Sequence, residues 1–321
     1  MHLPPRIRLA QTPTPLEEFP RLREAWGGPH IWIKRDDLTG FGFSGNKIRK
    51  LEYHLAAAQE AGADTVLTCG GIQSNHCRAT ALACARLGLA TLLFLRTPDG
   101  EAPNSATGNH RIDELAGASI RYITPGQYVD RDTLMGEAAS ELVKDGRSPW
   151  VIPEGASDVL GMWGMALAYQ EMIDQAVVIE GHLAEVWHTA SSAGTTAGFG
   201  WAADRAAYPV PGVALSIGDS IEDLRVRVEG IWSDAVAEIG GKMPDPEIEY
   251  IDEYLSGGYG VISSAQRTIQ DEVTRLTGLL VDATYTGKTL FALHEEIGKG
   301  RFAENDHVIF WHTGGGFAAL A

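Results

Sequence analysis

The sequence predicts an α/β protein in which mostly parallel sheets are covered by helices, and three observations carry that expectation. From about residue 31, short apolar runs alternate with longer segments of helical period, the signature of strand and helix in turn. The runs are numerous enough to call for two open, twisted α/β lobes rather than one sheet. Several runs also end in glycines and hydroxyl residues that open the next helix, which is where α/β proteins bind ligands.

In order, strands are expected near Ile31-Lys34, Thr65-Cys69, Thr91-Leu95, Ile120-Ile123, Trp150-Ile152, Glu185-Thr189, Val213-Ser216, Glu247-Tyr250 and His307-Trp311. Helices are expected to begin near Asn46, Asn75, Asn104, Asp130, Gly161, Gly194, Ser220, Ser263 and Thr286. In the first of them Ile48, Leu51 and Leu55 form one apolar stripe, with Arg49 and Lys50 off it. The acidic stretch from Glu222 to Glu238 has helical spacing and reads as a solvated helix face. No Pro/Gly/Ser-rich linker marks a boundary, so the lobes are expected to interleave.

With 321 residues and 44% hydrophobic content, the chain can bury a large core. Its 26 basic against 42 acidic residues give a formal charge of -16, which repels nucleic acid and anionic membranes, so an anionic substrate must be drawn in by local donors. No apolar stretch reaches signal-peptide or membrane-spanning length, and a cytoplasmic location is expected. Cys69, Cys77 and Cys84 lack metal or disulfide spacing, and Cys77 and Cys84 read as core; no metal site is expected.

Five stretches carry chemistry. In Phe41-Gly42-Phe43-Ser44-Gly45-Asn46-Lys47, a lysine opens a helix, where the positive end of the macrodipole favours its neutral, nucleophilic amine. A lysine on a solvated first turn is the competing reading. Cys69-Gly70-Gly71-Ile72-Gln73-Ser74-Asn75-His76 runs from a strand into a capped helix whose free N–H groups suit a carboxylate, or simply cap well. Ala190-Ser191-Ser192-Ala193-Gly194-Thr195-Thr196 offers small residues and hydroxyls to a phosphate. Thr284-Tyr285-Thr286-Gly287-Lys288-Thr289 and His312-Thr313-Gly314-Gly315 are polar turns where sheet and helix meet. The phosphate stretch is neither G-x-G-x-x-G nor Walker A, Asp282 stands where a P-loop before Gly287 needs glycine, and Ser74 lacks the G-x-S-x-G elbow.

As a set and in this order, Gly45-Asn46-Lys47 with Arg49-Lys50-Leu51-Glu52, Gln73-Ser74-Asn75-His76, the Ser/Gly/Thr loop and His312-Thr313-Gly314-Gly315 resemble the D-cysteine desulfhydrase and 1-aminocyclopropane-1-carboxylate (ACC) deaminase family. The resemblance spans almost the whole chain. It implies the tryptophan-synthase-β-like fold type II of pyridoxal 5′-phosphate (PLP) enzymes, with the cofactor in a cleft between two lobes. Residues 1–50 with 158–321 would form a large PLP-binding domain and 51–157 a small one, in a homodimer. Lys47 would be the Schiff-base lysine, with Asn46 beside it, and Asn75 would bond the cofactor's phenolic oxygen. Ser74, Asn75 and His76 would hold the substrate carboxylate. Ser192, Ala193, Gly194, Thr195 and Thr196 would hold the phosphate, with Thr286, Thr313 and Gly314 near the ring. Tyr285 and Tyr259 match tyrosines that line the family's substrate site.

The implied activity is elimination of a β-substituent from a small amino acid, giving pyruvate and ammonia: D-cysteine desulfhydrase, with L-cysteate sulfo-lyase and ACC deaminase as alternatives. A non-catalytic PLP or amino-acid binding protein is the alternative of another class. ACC deaminases carry Glu where this chain has Thr286, and a hydroxyl there supports the electron sink less firmly, which suits β-elimination over ring opening. The chain departs from the family at Ser44, Ala193, Trp163 and Met165; a cleft-facing Trp163 would narrow the pocket, and core is its other reading.

Overall fold

A computed structural model describes residues 3–258 and 260–320. In chain order the strands are β1 (Leu16–Glu18), β2 (His30–Arg35), β3 (Thr65–Gly71), β4 (Ala90–Arg96), β5 (Ser119–Ile123), β6 (Pro149–Val151), β7 (His182–Ala190), β8 (Gly212–Ser216), β9 (Ile248–Ile251) and β10 (Asp306–His312). The helices are α1 (Pro20–Trp26), α2 (Lys47–Glu60), α3 (Asn75–Leu87), α4 (Gly108–Leu115), α5 (Pro125–Val129), α6 (Arg131–Lys144), α7 (Val159–Ala176), α8 (Gly194–Ala203), α9 (Ile221–Ile239), α10 (Ser264–Thr277) and α11 (Thr286–Gly298).

Two sheets result. The larger runs β1-β2-β10-β7-β8-β9, parallel except for β1, and the smaller runs β5-β4-β3-β6, parallel throughout. Central strands are apolar on both faces because helices cover both. Along β10, Val308 and Phe310 pack with Leu290 and Leu293 of α11, while Ile309 and Trp311 pack with Met165 and Met172 of α7. In β3, Val66 joins the cluster of Leu51 and Ala79, and Leu67 that of Met135.

All nine expected strands are present. Those the patterning misses, β1, α1 and α5, have three, seven and five residues, too few to display a period. The helix expected near Asn104 begins at Gly108 after Thr107, and the one expected near Gly161 begins at Val159, because Asp158 accepts from the Gly161 N–H at 2.9 Å and caps it. The acidic face of α9 is solvated, and Cys77 and Cys84 are buried. Trp163 is core, edge-to-face with Trp201 at 6.1 Å, and Met165 is fully buried.

Helix α2 departs most from its sequence pattern. The apolar stripe is buried, but so are Arg49 and Lys50, at 5% and 0% exposure. A charge can be buried when it is paired. The Arg49 guanidinium donates to Asp36 at 2.7 Å and to Glu171 at 2.9 Å, and Lys34 donates to the same Glu171 at 2.5 Å. Helix α7 packs on α2 through Gly164, where an added methyl would lie 2.5 Å from the Arg49 carbonyl carbon. The helix that begins with Lys47 is therefore held main chain to main chain.

Candidate active site

Three chain reversals at the C-terminal ends of parallel strands converge on one cavity: Gly70-Gly71 to His76 after β3, Ala190 to Thr196 after β7, and Thr313 after β10. Asn46 and Lys47 of the loop before α2, Glu154 and Gly155 after β6, and Tyr285 at the start of α11 complete the lining. Gly194, Thr286 and Gly314, also expected at the site, do not line it but each adjoins a lining residue in the chain: Ala193 and Thr195, Tyr285, and Thr313. Tyr259 lies outside the described residues.

The loop bearing Lys47 is clamped. Gly45 forms an antiparallel bridge with Gly314; both have positive φ, +121° and +99°, and a side chain on either would strike the other's turn. The Asn46 N–H donates to the Thr313 carbonyl at 3.1 Å. From α3, the Arg78 guanidinium donates to the carbonyls of Gly42 and Ser44. Lys47 itself is half-buried and lines the cavity, and among the described residues no hydrogen bond engages its Nζ. Burial pushes the amine down to about 8, against the opposing charge of Glu154 and the Cys77 thiol. Glu154 is itself held by the Tyr128 hydroxyl at 2.6 Å and by Arg131 at 3.3 Å. Lys47 thus faces a cavity rather than standing on an open first turn.

Ser74 caps α3, its Oγ accepting from the Cys77 N–H at 3.2 Å, which leaves the hydroxyl proton and the first-turn N–H groups of Asn75 and His76 facing the cavity. The His76 ring is turned away. Thr68 gives its proton to the Ile152 carbonyl at 2.8 Å and therefore accepts from His76 Nε2 at 2.8 Å. Burial drives that imidazole well below its ordinary range, so it is neutral.

The loop before α8 is built for close approach. Ala193 has φ +72° and ψ -31°, and the Gly194 N–H reaches back to the Ser192 carbonyl at 3.0 Å, a γ-turn that L-residues seldom make. The Thr195 hydroxyl accepts from Asn46 Nδ2 at 3.0 Å, so its own proton is free for a ligand. Thr196 pairs with His188 at 2.9 Å. Two neighbours of this loop escape the sequence patterning. Lys50 Nζ, buried and pushed well below its ordinary range by desolvation, donates to the Gly155 carbonyl at 3.2 Å and lies against Gly194. Ser157 meets Ser192 at 2.8 Å and accepts from the Gly194 N–H at 3.2 Å. Their signal was position: Glu154 to Ser157 follow a parallel strand, and Lys50 follows Lys47 by almost one helical turn.

Thr286 is fully buried. Its hydroxyl donates to Asp282 at 2.7 Å, and the same carboxylate accepts from the N–H groups of Thr284, Tyr285 and Thr286. With its proton committed to Asp282 and one lone pair accepting from the Asp282 N–H at 3.1 Å, Thr286 has only its second lone pair to offer a ligand. His312 sets the next turn, accepting from the Gly314 N–H at 3.2 Å and donating through Nε2 to the Leu280 carbonyl at 3.1 Å.

The cavity thus joins a half-buried, unengaged amine to a small-residue loop of hydroxyls and helix N–H groups, which fits the aldehyde and phosphate of PLP. Comparison with known proteins agrees. Residues 7–314 match the family model described as pyridoxal-phosphate dependent enzyme. A Thermotoga maritima protein named "Putative 1-aminocyclopropane-1-carboxylate deaminase" is 39% identical over 98% of each chain. A D-cysteine desulfhydrase of Salmonella typhi is 35% identical over 99% of this chain and 96% of its own. The crystal structure of an ACC deaminase homologue superposes with a TM-score of 0.88 at 32% identity, covering 99% of this chain and 94% of that one. The chain belongs to the pyridoxal-phosphate-dependent enzyme family, and within it to the fold type II group of D-cysteine desulfhydrases and ACC deaminase homologues.

Proposed function

We propose that this PLP-dependent lyase is a D-cysteine desulfhydrase, converting D-cysteine and water to hydrogen sulfide, pyruvate and ammonia. The observation that carries this reading is Thr286, which stands where the ACC deaminase pattern has glutamate and whose hydroxyl proton is held by Asp282 at 2.7 Å. A neutral accepting hydroxyl does not hold a proton on the ring nitrogen as firmly as a carboxylate does, so the site favours a reaction whose leaving group departs as the Cα proton is lost.

When bound, PLP supplies the electron sink for that proton loss. Lys47 would carry the cofactor and, once displaced by the substrate amine, take the Cα proton; an amine at about 8 is matched to neutral pH for that role. Asn75 Nδ2 would donate to the phenolic oxygen. The Ser74 hydroxyl and the Asn75 and His76 N–H groups would hold the substrate carboxylate, with the His76 ring serving only to brace the turn. Ser192, Thr195 and Thr196, with Lys50 behind Gly194, would hold the phosphate. Tyr285 lines the cavity and would face the substrate, and Tyr259 is assigned there on the resemblance alone.

The test is product release by purified, PLP-loaded protein across D-cysteine, L-cysteine, D- and L-cysteate, D-serine, β-chloro-D-alanine and ACC. Pyruvate with sulfide from D-cysteine, abolished in Lys47→Ala, is the expected result. Sulfite from a cysteate names a different leaving group, and 2-oxobutanoate from ACC alone overturns the use made of Thr286.

A further inference from the structure

The buried face of α4 is polar. Asn109, His110 and Asp113 are its buried residues, where a surface helix normally turns apolar side chains inward. Asn109 is fully enclosed and does not line the cavity. Its N–H donates to Gln73 Oε1 at 2.9 Å, and its Nδ2 donates both to the Gln73 main-chain carbonyl at 2.8 Å and to Asn75 Oδ1 at 2.9 Å.

These three bonds settle which way two amides face. A main-chain carbonyl only accepts, so the Asn109 atom against it is the nitrogen, and both amide hydrogens are then spent on Gln73 and Asn75. The Asn75 atom that meets Asn109 must therefore be its oxygen, because two NH2 groups face to face have no acceptor between them. Asn75 is left with its Nδ2 donors for whatever the cavity holds. The Asn109 Oδ1 has no partner among the described residues, so this orientation is not set by that oxygen.

We propose that Asn109 is a positioning residue that locks the Asn75 amide with its donors, never its acceptor, toward the phenolic oxygen of PLP. The inference rests on the reading of Asn75 given above. A donor on the phenolic oxygen competes with the proton shared between that oxygen and the lysine-linked nitrogen, so its loss raises the pH at which the visible band of the lysine-bound cofactor titrates. Without Asn109 the Asn75 amide can turn over. With an aspartate in its place the amide is turned outright, since the carboxylate demands the Asn75 NH2.

The experiment is a spectrophotometric pH titration of PLP-loaded wild type, Asn75→Ala, Asn109→Ala, Asn109→Asp and the double alanine variant, each with its thermal midpoint. One hydrogen bond corresponds to roughly 0.5–1 pH unit. We expect Asn75→Ala and both Asn109 variants to move the midpoint upward by about that amount, and Asn109→Ala to add nothing on the Asn75→Ala background. Asn109 variants that lower thermal stability but leave the midpoint at its wild-type value, while Asn75→Ala moves it, overturn the proposal and leave the cofactor reading standing. So does an equal shift on both backgrounds. An Asn75→Ala midpoint equal to wild type takes down the phenolic-oxygen assignment and the proposal with it.

Discussion

Replacing Gly164 by alanine tests whether helix contact, rather than loop chemistry, positions the reactive lysine. The methyl would stand 2.5 Å from the Arg49 carbonyl carbon and 2.8 Å from the Lys50 nitrogen, where ordinary contact begins at 3.4 Å, and main-chain atoms cannot rotate aside. Helices α7 and α2 must then part by about 1 Å at a point two residues from Lys47. Overpacking of this kind costs about 1–3 kcal/mol. A displacement of that size at a reacting group costs on the order of 100-fold in rate. Gly230→Ala in α9 is the control, since nothing lies within 4 Å of its added methyl, and it should leave activity intact and stabilise by about 0.5–1 kcal/mol. Thermal unfolding, PLP affinity and turnover read both variants. A Gly164→Ala protein with wild-type melting and turnover refutes the argument.

Further outcomes follow from the same geometry. The rate at which apoprotein takes up PLP should climb with pH and level off above about 8, as the Lys47 amine loses its proton; Glu154→Gln removes a charge that raises that amine, so its profile should level off at lower pH. In Glu171→Gln, Arg49 and Lys34 keep buried charges without their shared partner, at a cost of about 3–5 kcal/mol by denaturant unfolding. Burial pushes the Glu171 carboxyl up, but Arg49 and Lys34 bring it down to about 2; its folded value is depressed, so its stabilisation is complete above the ordinary 4.5 and fades as pH falls from there toward 2, a slope the Gln variant should lack. Lys50→Met should weaken PLP binding by several-fold in equilibrium titration, because a hydrogen-bond donor beside the phosphate loop is lost.

The parts legible in the sequence were those with local signals. Strand periodicity placed all nine strands it predicted, and glycine, hydroxyl and amide residues after strands marked the turns that now line one cavity. What stayed hidden depends on contacts between distant residues. Lys50 falls outside the apolar stripe of α2 and looks solvated until α7 and the loop after β6 close over it. Ser157 sits in a stretch with no motif signal, and Asn109 in a helix whose pattern says nothing of its partners; only the approach of the β7 turn and of α3 supplies them. Ala193, read as a departure from a glycine-bearing pattern, keeps the positive φ that glycine would take without strain.

The central claim is that Lys47 carries the cofactor. Borohydride reduction of the PLP-loaded protein, followed by proteolysis and mass spectrometry, measures this directly. The account predicts one phosphopyridoxyl label, on Lys47; a label on Lys50 or Lys288, or none, contradicts it.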